Sequence, residues 1–242
     1  MKRIYTIIII IVFAAIKSNA QTFSDFKKAA EKKIIEATTS NVLSEKEIAL
    51  GLKEALNIGV KKGVDQLSKP DGFFKYPEIK ILFPEDVKKV ESKLRKIGLG
   101  KKVDEAIESI NRAAEDAVVN AKDIFIKAIK NMTLTDALGI LRGEKDAATR
   151  YLEKSTRADL VKKFKPTVKV SLNKVGATKH WNLIFSTYNK IPFITKVNTD
   201  LDVYVTNKAI DGLFLQIAKE ELDIRKNPTA RVTKLLKKVF GS

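Results

Sequence analysis

The chain has 242 residues, of which 44% are hydrophobic and 31% charged, a composition typical of a folded globular protein. It carries 46 Lys and Arg against 29 Asp and Glu, a net charge of +17, with one His and no Cys. These counts exclude thiol catalysis, thiolate metal sites and His-rich zinc centres. The charge predicts an attraction to anionic partners but identifies none of them.

Residues 1–20, MKRIYTIIIIIVFAAIKSNA, have the layout of a secretory signal peptide. Lys2 and Arg3 precede an apolar run that is shorter than the roughly 20 residues of a membrane-spanning helix, and small residues ending in Ala20 follow it. We therefore predict cleavage after Ala20, in preference to retention as an uncleaved anchor. The mature chain is expected to be exported to the periplasm or cell envelope and to be soluble there.

The rest of the chain is predicted to be mainly α-helical. An N-terminal extension, residues 21–43, includes a short helix near residues 24–38, and residues 44–242 are expected to form a single helical domain. Apolar residues recur there at helical spacing, while strand-like alternation is scarce. Ser44 and Glu47 have the spacing of a capping box for a helix that runs to about Leu67. The fold class is therefore a multi-helix bundle.

The breaker KPDGFFKYP ends that helix, and a different pattern follows it. Ile79, Ile81 and Phe83 alternate with Lys80 and Leu82, which predicts at most a short extended or β segment near residues 78–83. Pro84 and Glu85 are then expected to start the next helix.

The stretch NRAAEDA, residues 111–117, lies on a helix with a heptad seam. The seam residues are Val103, Ile107, Ile110, Ala114, Ala117, Ala121, Ile124 and Ala128. Arg112 is three or four residues from Glu108, Glu115 and Asp116, so we favour a salt-bridged helix flank. The alternative is a polar pocket, formed if a neighbouring helix buries Asn111 and Arg112.

Later helices are predicted from their caps and breakers. Thr133 and Asp136 open a short helix, Asp146 caps a second and Pro166 begins a third. From Asp200 two adjacent apolar rows predict a central helix. Gly212 lies inside this helix, so something is expected to approach its backbone, a crossing helix in preference to a ligand.

Several strings together resemble the domain of unknown function 4197 family, exported bacterial proteins with no established activity. They are DGFF, NRAAEDA, DAATRYLE, YVTNKAIDGLF and EELDIRKNPTARVTKLLKKVFG. The resemblance extends from about Ala49 to Gly241 and implies an envelope location and one mainly helical domain. It supplies no catalytic residues. The family's DGF is followed by an Asn, whereas this chain reads DGFFKYP, so the role of that loop is not carried over.

The leading functional prediction is an exported, non-enzymatic binding or interaction protein with no catalytic residue, metal or cofactor. No phosphate-binding loop or catalytic triad is recognisable in the sequence. Polar residues on otherwise apolar helices are the candidate ligand-binding residues. These are Asn111, Arg112, Tyr151, Tyr204, Asp211 and Arg225. The expected partner is an unknown small ligand or an envelope protein.

Two alternatives remain open. The protein is a peripheral binder of anionic lipid or cell-wall polymer through its last helix, or it is a metal-independent carboxylate hydrolase. The last helix has basic residues opposite an apolar stripe, although docking of that stripe onto the protein's own core is favoured. The basic residues are Arg231, Lys234, Lys237 and Lys238. Export argues against a nucleic-acid partner, and the sequence leaves the oligomeric state open.

Overall fold

A computed structural model of the chain describes residues 28, 44–179, 181–182, 200–231 and 233–240. The predicted signal peptide and the short helix near residues 24–38 lie outside the described residues, apart from Lys28, and they remain predictions. Contacts divide the chain into the units Met1–Ser44 and Glu45–Ser242, and the description below concerns the second.

Eight α-helices are described in this unit, and the described residues include no β-strand. They are α1 (Glu45–Leu67), α2 (Lys88–Leu94), α3 (Gly100–Val118), α4 (Ala121–Asn131), α5 (Leu134–Arg142), α6 (Ala147–Lys174), α7 (Leu201–Lys226) and α8 (Lys234–Phe240). Shorter helical turns cover Glu85–Val87, Arg95–Leu99 and Pro228–Ala230. The prediction of a mainly α-helical bundle is confirmed.

Helix α7 is central, because it packs against α6, α1 and α3. Its two apolar rows are buried as their spacing predicts, with Val205, Ile210 and Leu213 fully inaccessible to solvent. The alanines of the α3 seam are equally buried, so small side chains allow the neighbouring backbone to approach closely. The core therefore lies where α3, α6 and α7 meet.

The heptad seam does not belong to a single helix. Its residues are buried or half-buried, but the chain turns at residues 119–120 between α3 and α4. Asn120 ends α3 by donating from both its backbone amide and its side-chain nitrogen to the carbonyl of Ala117, each at 3.1 Å. Periodicity did not reveal this break, since the apolar spacing continues across it.

Helix α6 also differs from its prediction. Pro166 does not begin a helix but lies inside α6, where its exposed ring costs one backbone hydrogen bond. Phe164 and Val168 on either side are fully buried, and their packing offsets that cost. Asp146 precedes α6 but makes no side-chain capping bond.

By contrast, the Thr133 capping box is present. The Thr133 hydroxyl accepts from the amide of Asp136 at 3.1 Å, and the Asp136 carboxylate accepts from the amide of Thr133 at 3.0 Å. The C-terminal helix α8 contacts α1, where the side chains of Leu235 and Val239 lie against Gly51. No helix in the described ranges has the length and apolar character needed to cross a membrane.

Candidate functional site

Asn111 of α3 holds the extended segment, residues 80–83, against the core, just after a turn at residues 77–79. Its side-chain oxygen accepts from the amide of Ile81 at 2.9 Å, and its side-chain nitrogen donates to the carbonyl of Ile81 at 2.8 Å. The same nitrogen donates to the carbonyl of Ile107 at 2.7 Å. Asn111 is fully buried and imitates the backbone of a neighbouring strand. It therefore satisfies one edge of a chain segment that has no strand partner in the described structure.

Glu115, one turn further along α3, binds the DGFF loop. One carboxylate oxygen accepts from the amides of Phe73 and Phe74 at 3.0 and 3.4 Å, and the other accepts from Arg112 at 2.8 Å. Arg112 also donates to Asp71 of the loop at 2.6 Å and to Glu108 at 3.1 Å. The loop is thus anchored by a buried carboxylate whose charge Arg112 balances.

The electrostatics of this network favour the charged forms of Arg112 and Asp71. Burial alone lowers the pKa of Arg112, and its hydrogen bonds to Glu115, Asp71 and Glu108 raise the pKa above its ordinary value. Hydrogen bonds from Lys75 and then from Arg112 lower the pKa of Asp71. A permanently charged set of this kind suits a structural tie, because a general acid or base must exchange its proton near neutral pH.

The anchored loop reaches α7 through Phe73. This ring is fully buried, and a Cβ built on Gly212 would lie 2.7 Å from its Cε1 atom. The close approach to the backbone that was expected at Gly212 is therefore made by the DGFF loop, not by a crossing helix or a ligand. Ile79 lies beside it, with its Cβ 3.3 Å from the same position. Loop, extended segment and α7 consequently form one packed arrangement.

A second tie connects α7 to the start of α6. Glu221, buried on α7, accepts from the amides of Ala148 and Thr149 at 3.1 and 2.9 Å and from the Thr149 hydroxyl at 2.8 Å. Arg225 donates to the same carboxylate at 2.8 Å and to the carbonyl of Ile140 at 3.0 Å. Glu221 therefore caps α6 in place of the predicted Asp146, which lies near Arg150 instead.

A surface groove of about 380 Å³ lies beside the chain segment that Asn111 holds. One wall is the chain at residues 78–85, and the other is the outward side of α7. The α7 residues that line it are Tyr204, Lys208, Asp211, Gly212 and Leu215. Leu82 and Leu215 are 46% and 41% exposed, so the groove offers solvent-facing apolar surface as well as charge. Its volume is at the lower end of the range for ligand pockets, about 300 to 1,000 Å³.

Tyr204 connects the two walls. Its hydroxyl donates to the carbonyl of Leu82 at 2.7 Å, and its ring stacks on Trp181 with centroids 6.4 Å apart. Burial, and to a lesser degree the charge of Glu85, raises the pKa of Tyr204 to about 12. The ammonium of Lys208 lies 6.0 Å from the ring centroid, within the range of a cation–π contact.

Three carboxylates line the groove, and each faces a cation. A carboxylate oxygen of Glu78 lies 3.4 Å from the ammonium of Lys219, and one of Glu85 lies 2.7 Å from the ammonium of Lys88. Asp211 accepts from Arg157 at 2.7 Å. A hydrogen bond from its own backbone and the charge of Lys219 lower the pKa of Glu78. The surroundings of Glu78 therefore do not favour the protonated carboxyl that a glycosidase-type general acid requires.

The six predicted ligand-binding residues are divided among these features. Tyr204 and Asp211 line the groove, and Asn111 supports its wall from behind. Arg112 binds the DGFF loop, while Arg225 belongs to the second tie. Tyr151 lies apart from the groove on α6, where burial, followed by the charge of Asp136, raises its pKa. Ligand binding by these residues stays a prediction.

A second cavity, between α1, α6 and α7, is lined by apolar side chains and touches Arg225. The space inside it is about 20 Å³, which is enough for one or two water molecules and too little for a ligand. Among the described residues no cluster of three or more His, Asp or Glu could hold a metal ion. The groove is therefore the candidate site.

The sequence did not point to Lys208 or Leu215 as site residues. Both lie on the outward side of α7, where a helical pattern predicts only solvent-exposed positions. The alternation of Ile79, Ile81 and Phe83 was the sequence signal that could have located the groove. It predicts an extended segment, and an extended segment beside a helix leaves a groove between them.

Fold and site together define a mainly helical protein in which buried carboxylates tie helices and a loop together, and in which an open groove lies along α7. Comparison with protein families matches residues 42–241 to the family described as "Protein of unknown function (DUF4197)". The chain belongs to this family, as its resemblance predicted. The same comparisons found no match among curated proteins and none among solved structures.

Proposed function

We propose that the protein is exported to the cell envelope and acts there as a non-enzymatic binding protein. Its groove between residues 78–85 and α7 takes an extended peptide segment of an envelope protein partner. Export is inferred from the sequence of residues 1–20, with Lys2 and Arg3 ahead of an apolar run and Ala20 at the expected cleavage position.

The extended wall of the groove is the observation that carries this proposal. In an extended chain, successive residues direct their backbone groups to opposite sides. Those of Ile81 face Asn111, so those of Leu82 face the groove, where Tyr204 bonds the Leu82 carbonyl. The Leu82 carbonyl is therefore already bonded to Tyr204, and the Lys80 amide donates to the carbonyl of Tyr76, so an extended peptide lying along this wall would be recognised chiefly through side-chain contacts.

The side chains of the groove suit a polypeptide better than an anionic polymer. The groove carries both signs of charge, with two lysines, Lys80 and Lys208, beside three carboxylates, Glu78, Glu85 and Asp211. Leu82 and Leu215 supply exposed apolar surface between them. A peptide can match this mixture by alternating apolar and charged side chains, whereas a polymer of uniform negative charge cannot.

The hydrolase alternative draws less support from the site. Glu78, Glu85 and Asp211 do line a common groove, but each lies near a Lys or Arg side chain. The C-terminal helix likewise gives less support to lipid binding by its apolar side. Leu235 and Val239 of α8 face Gly51 of α1, so these two side chains contact protein.

Native mass spectrometry of the protein isolated from its own cell envelope tests the proposal. We expect an additional mass corresponding to a polypeptide, which denaturation releases. Leu215→Glu places a charge in the groove and should abolish this additional mass. Val170→Glu is the matched control, because Val170 is exposed on α6 away from the groove, and it should retain the extra mass. A bare mass for the wild type, or an extra mass that survives Leu215→Glu, would contradict the proposal.

A further inference from the structure

The turn between α2 and α3 presents apolar side chains to solvent at the tip of a helical hairpin. Ile97 is 70% exposed and Leu99 is 37% exposed. The chain leaves helical geometry at Ile97 and reverses at Gly98, whose φ is +86°. A Cβ built on Gly98 would meet no atom within 4 Å, so the tip projects into open space. Exposed isoleucine and leucine side chains that lie together at a projecting turn are a feature of interaction sites.

The hairpin is held rigidly enough to present this tip. Val90 of α2 is buried in the core, and Leu94 packs against it. Arg95 crosses the turn, donating to Glu91 at 2.9 Å on its own side and to Asp104 at 2.7 Å on α3. The exposed residues therefore belong to a braced turn whose two helices are joined by an ion pair.

The surroundings of the tip are strongly basic. Residues 93–102 hold five basic side chains and no acidic one. Lys93, Lys96, Lys101 and Lys102 are exposed, and the structure gives none of the four an ion pair within the described residues. The four lysines attract negative charge, and the apolar tip that they surround favours contact with hydrocarbon.

We propose that this tip docks the protein onto an anionic phospholipid bilayer, with Ile97 and Leu99 entering the head-group region and the lysines contacting lipid phosphates. A bilayer is the partner that combines dense negative charge with accessible hydrocarbon. Nucleic acid offers the charge alone and would leave Ile97 without a partner. This surface is separate from the groove, so the inference does not depend on a peptide ligand.

Vesicle binding of the full protein tests the inference. The vesicles are equimolar phosphatidylcholine and phosphatidylglycerol, compared with phosphatidylcholine alone. Each lysine near such a surface is worth about a fivefold factor in partitioning, so Lys101→Ala with Lys102→Ala should reduce binding about twentyfold. Ile97→Ser with Leu99→Ser should reduce it at least about tenfold. Raising the salt concentration from about 0.1 M to about 1 M should weaken vesicle binding by the wild type, because the Debye length falls from about 10 Å to about 3 Å.

Control variants on α6 separate the tip from general charge and apolarity. Val170→Ser removes a side chain that is 67% exposed, and Lys163→Ala with Lys169→Ala removes the same charge as the tip double variant. Both should bind as the wild type does. All variants share one N-terminus, so any difference between them reports on the altered surface.

Because the chain has no Cys, Ile97→Cys can carry a single environment-sensitive fluorophore. Its emission should shift to the blue on anionic vesicles and be quenched by spin-labelled lipid, whereas a label at Val170→Cys should not respond. The inference is overturned if the tip variants bind like the controls, if the label at position 97 stays in water, or if the protein binds phosphatidylcholine vesicles as tightly as the anionic vesicles.

Discussion

Glu221 accepts hydrogen bonds from both the amide and the hydroxyl of Thr149, at 2.9 and 2.8 Å, across 72 residues of sequence. The first turn of a helix leaves amide donors without intrahelical partners, and a buried carboxylate satisfies two of them here. Arg225 balances the charge of that carboxylate. Residues far apart in sequence thus fix where α6 begins, and a local cap does not.

Replacing Glu221 by Ala is expected to lower the free energy of unfolding by about 3 kcal/mol, because it leaves Arg225 and two amides without their partner. Urea denaturation measures this value. Glu153→Ala is the control, since Glu153 forms an exposed pair with Arg157 and its loss should cost less than about 1 kcal/mol. Equal effects of the two substitutions would show that Glu221 is not a structural cap.

Asn111→Ala should destabilise the fold by about 2 kcal/mol and loosen the groove wall, because the buried amide and carbonyl of Ile81 lose their partner. Hydrogen exchange should accelerate at residues 80–83. Asn120→Ala, at a half-buried helix end, should leave exchange in that segment unchanged. Unchanged protection of Ile81 in Asn111→Ala would mean that the side chain does not hold the wall.

Two glycines inside helices should respond to Ala in opposite directions. Gly212→Ala would place its Cβ 2.7 Å from Phe73, so we expect a loss of about 1 to 3 kcal/mol in the free energy of unfolding. Gly139→Ala on α5 meets nothing within 4 Å and should gain up to about 1 kcal/mol from helix propensity. Thermal or urea unfolding measures both. A stabilising Gly212→Ala would contradict the packing of Phe73 on α7.

Tyr204→Phe removes the bond to the Leu82 carbonyl and should lower stability by about 1 kcal/mol at neutral pH. The pKa of Tyr204 is raised to about 12 in the fold, against about 10 when unfolded. As the pH rises, the unfolded chain loses the Tyr204 proton before the folded protein does. The stabilisation that Tyr204 contributes is therefore present below pH 10 and is lost between about pH 10 and 12. The difference in unfolding free energy between wild type and variant should therefore shrink over that range. A constant difference would contradict the burial of the hydroxyl.

Local signals in the sequence predicted much of the fold. The Thr133 capping box and the double apolar row of α7 are present where their spacing placed them. Such features depend on residues within one or two turns of each other, so a single sequence contains all the information needed. Family membership followed from the combination of strings, and the match over residues 42–241 confirms it.

The errors arose where distant residues decide the outcome. Pro166 was expected to begin a helix, but the burial of its neighbours Phe164 and Val168 carries α6 through it. Asp146 was expected to cap α6, but Glu221 takes that position from α7. In each case a tertiary contact outweighs a local preference, which is about 3 kcal/mol against Pro inside a helix and about 1 kcal/mol for a capping residue.

For the candidate site, sequence reasoning singled out polar residues on apolar helices without knowing what they would meet. Arg112 was predicted to pair with Glu108 and Glu115 on a helix flank, and both ion pairs are present. The contact that the sequence did not reveal is the one to Asp71, in a loop about 40 residues earlier. The groove depends on the placement of residues 78–85 beside α7, which results from Asn111 and Phe73 contacts that no periodicity encodes.

Site-specific photo-crosslinking in the cells that make the protein is the most direct test of peptide binding in the groove. A benzophenone side chain replaces Leu215 in the groove or, as the control, Val170 on α6, both of which are exposed. We predict that position 215 crosslinks to one recurrent segment of an envelope protein, and that Lys208→Glu reduces this product. The same products from positions 215 and 170, or products that Lys208→Glu leaves unchanged, would contradict the proposal that the groove binds a peptide.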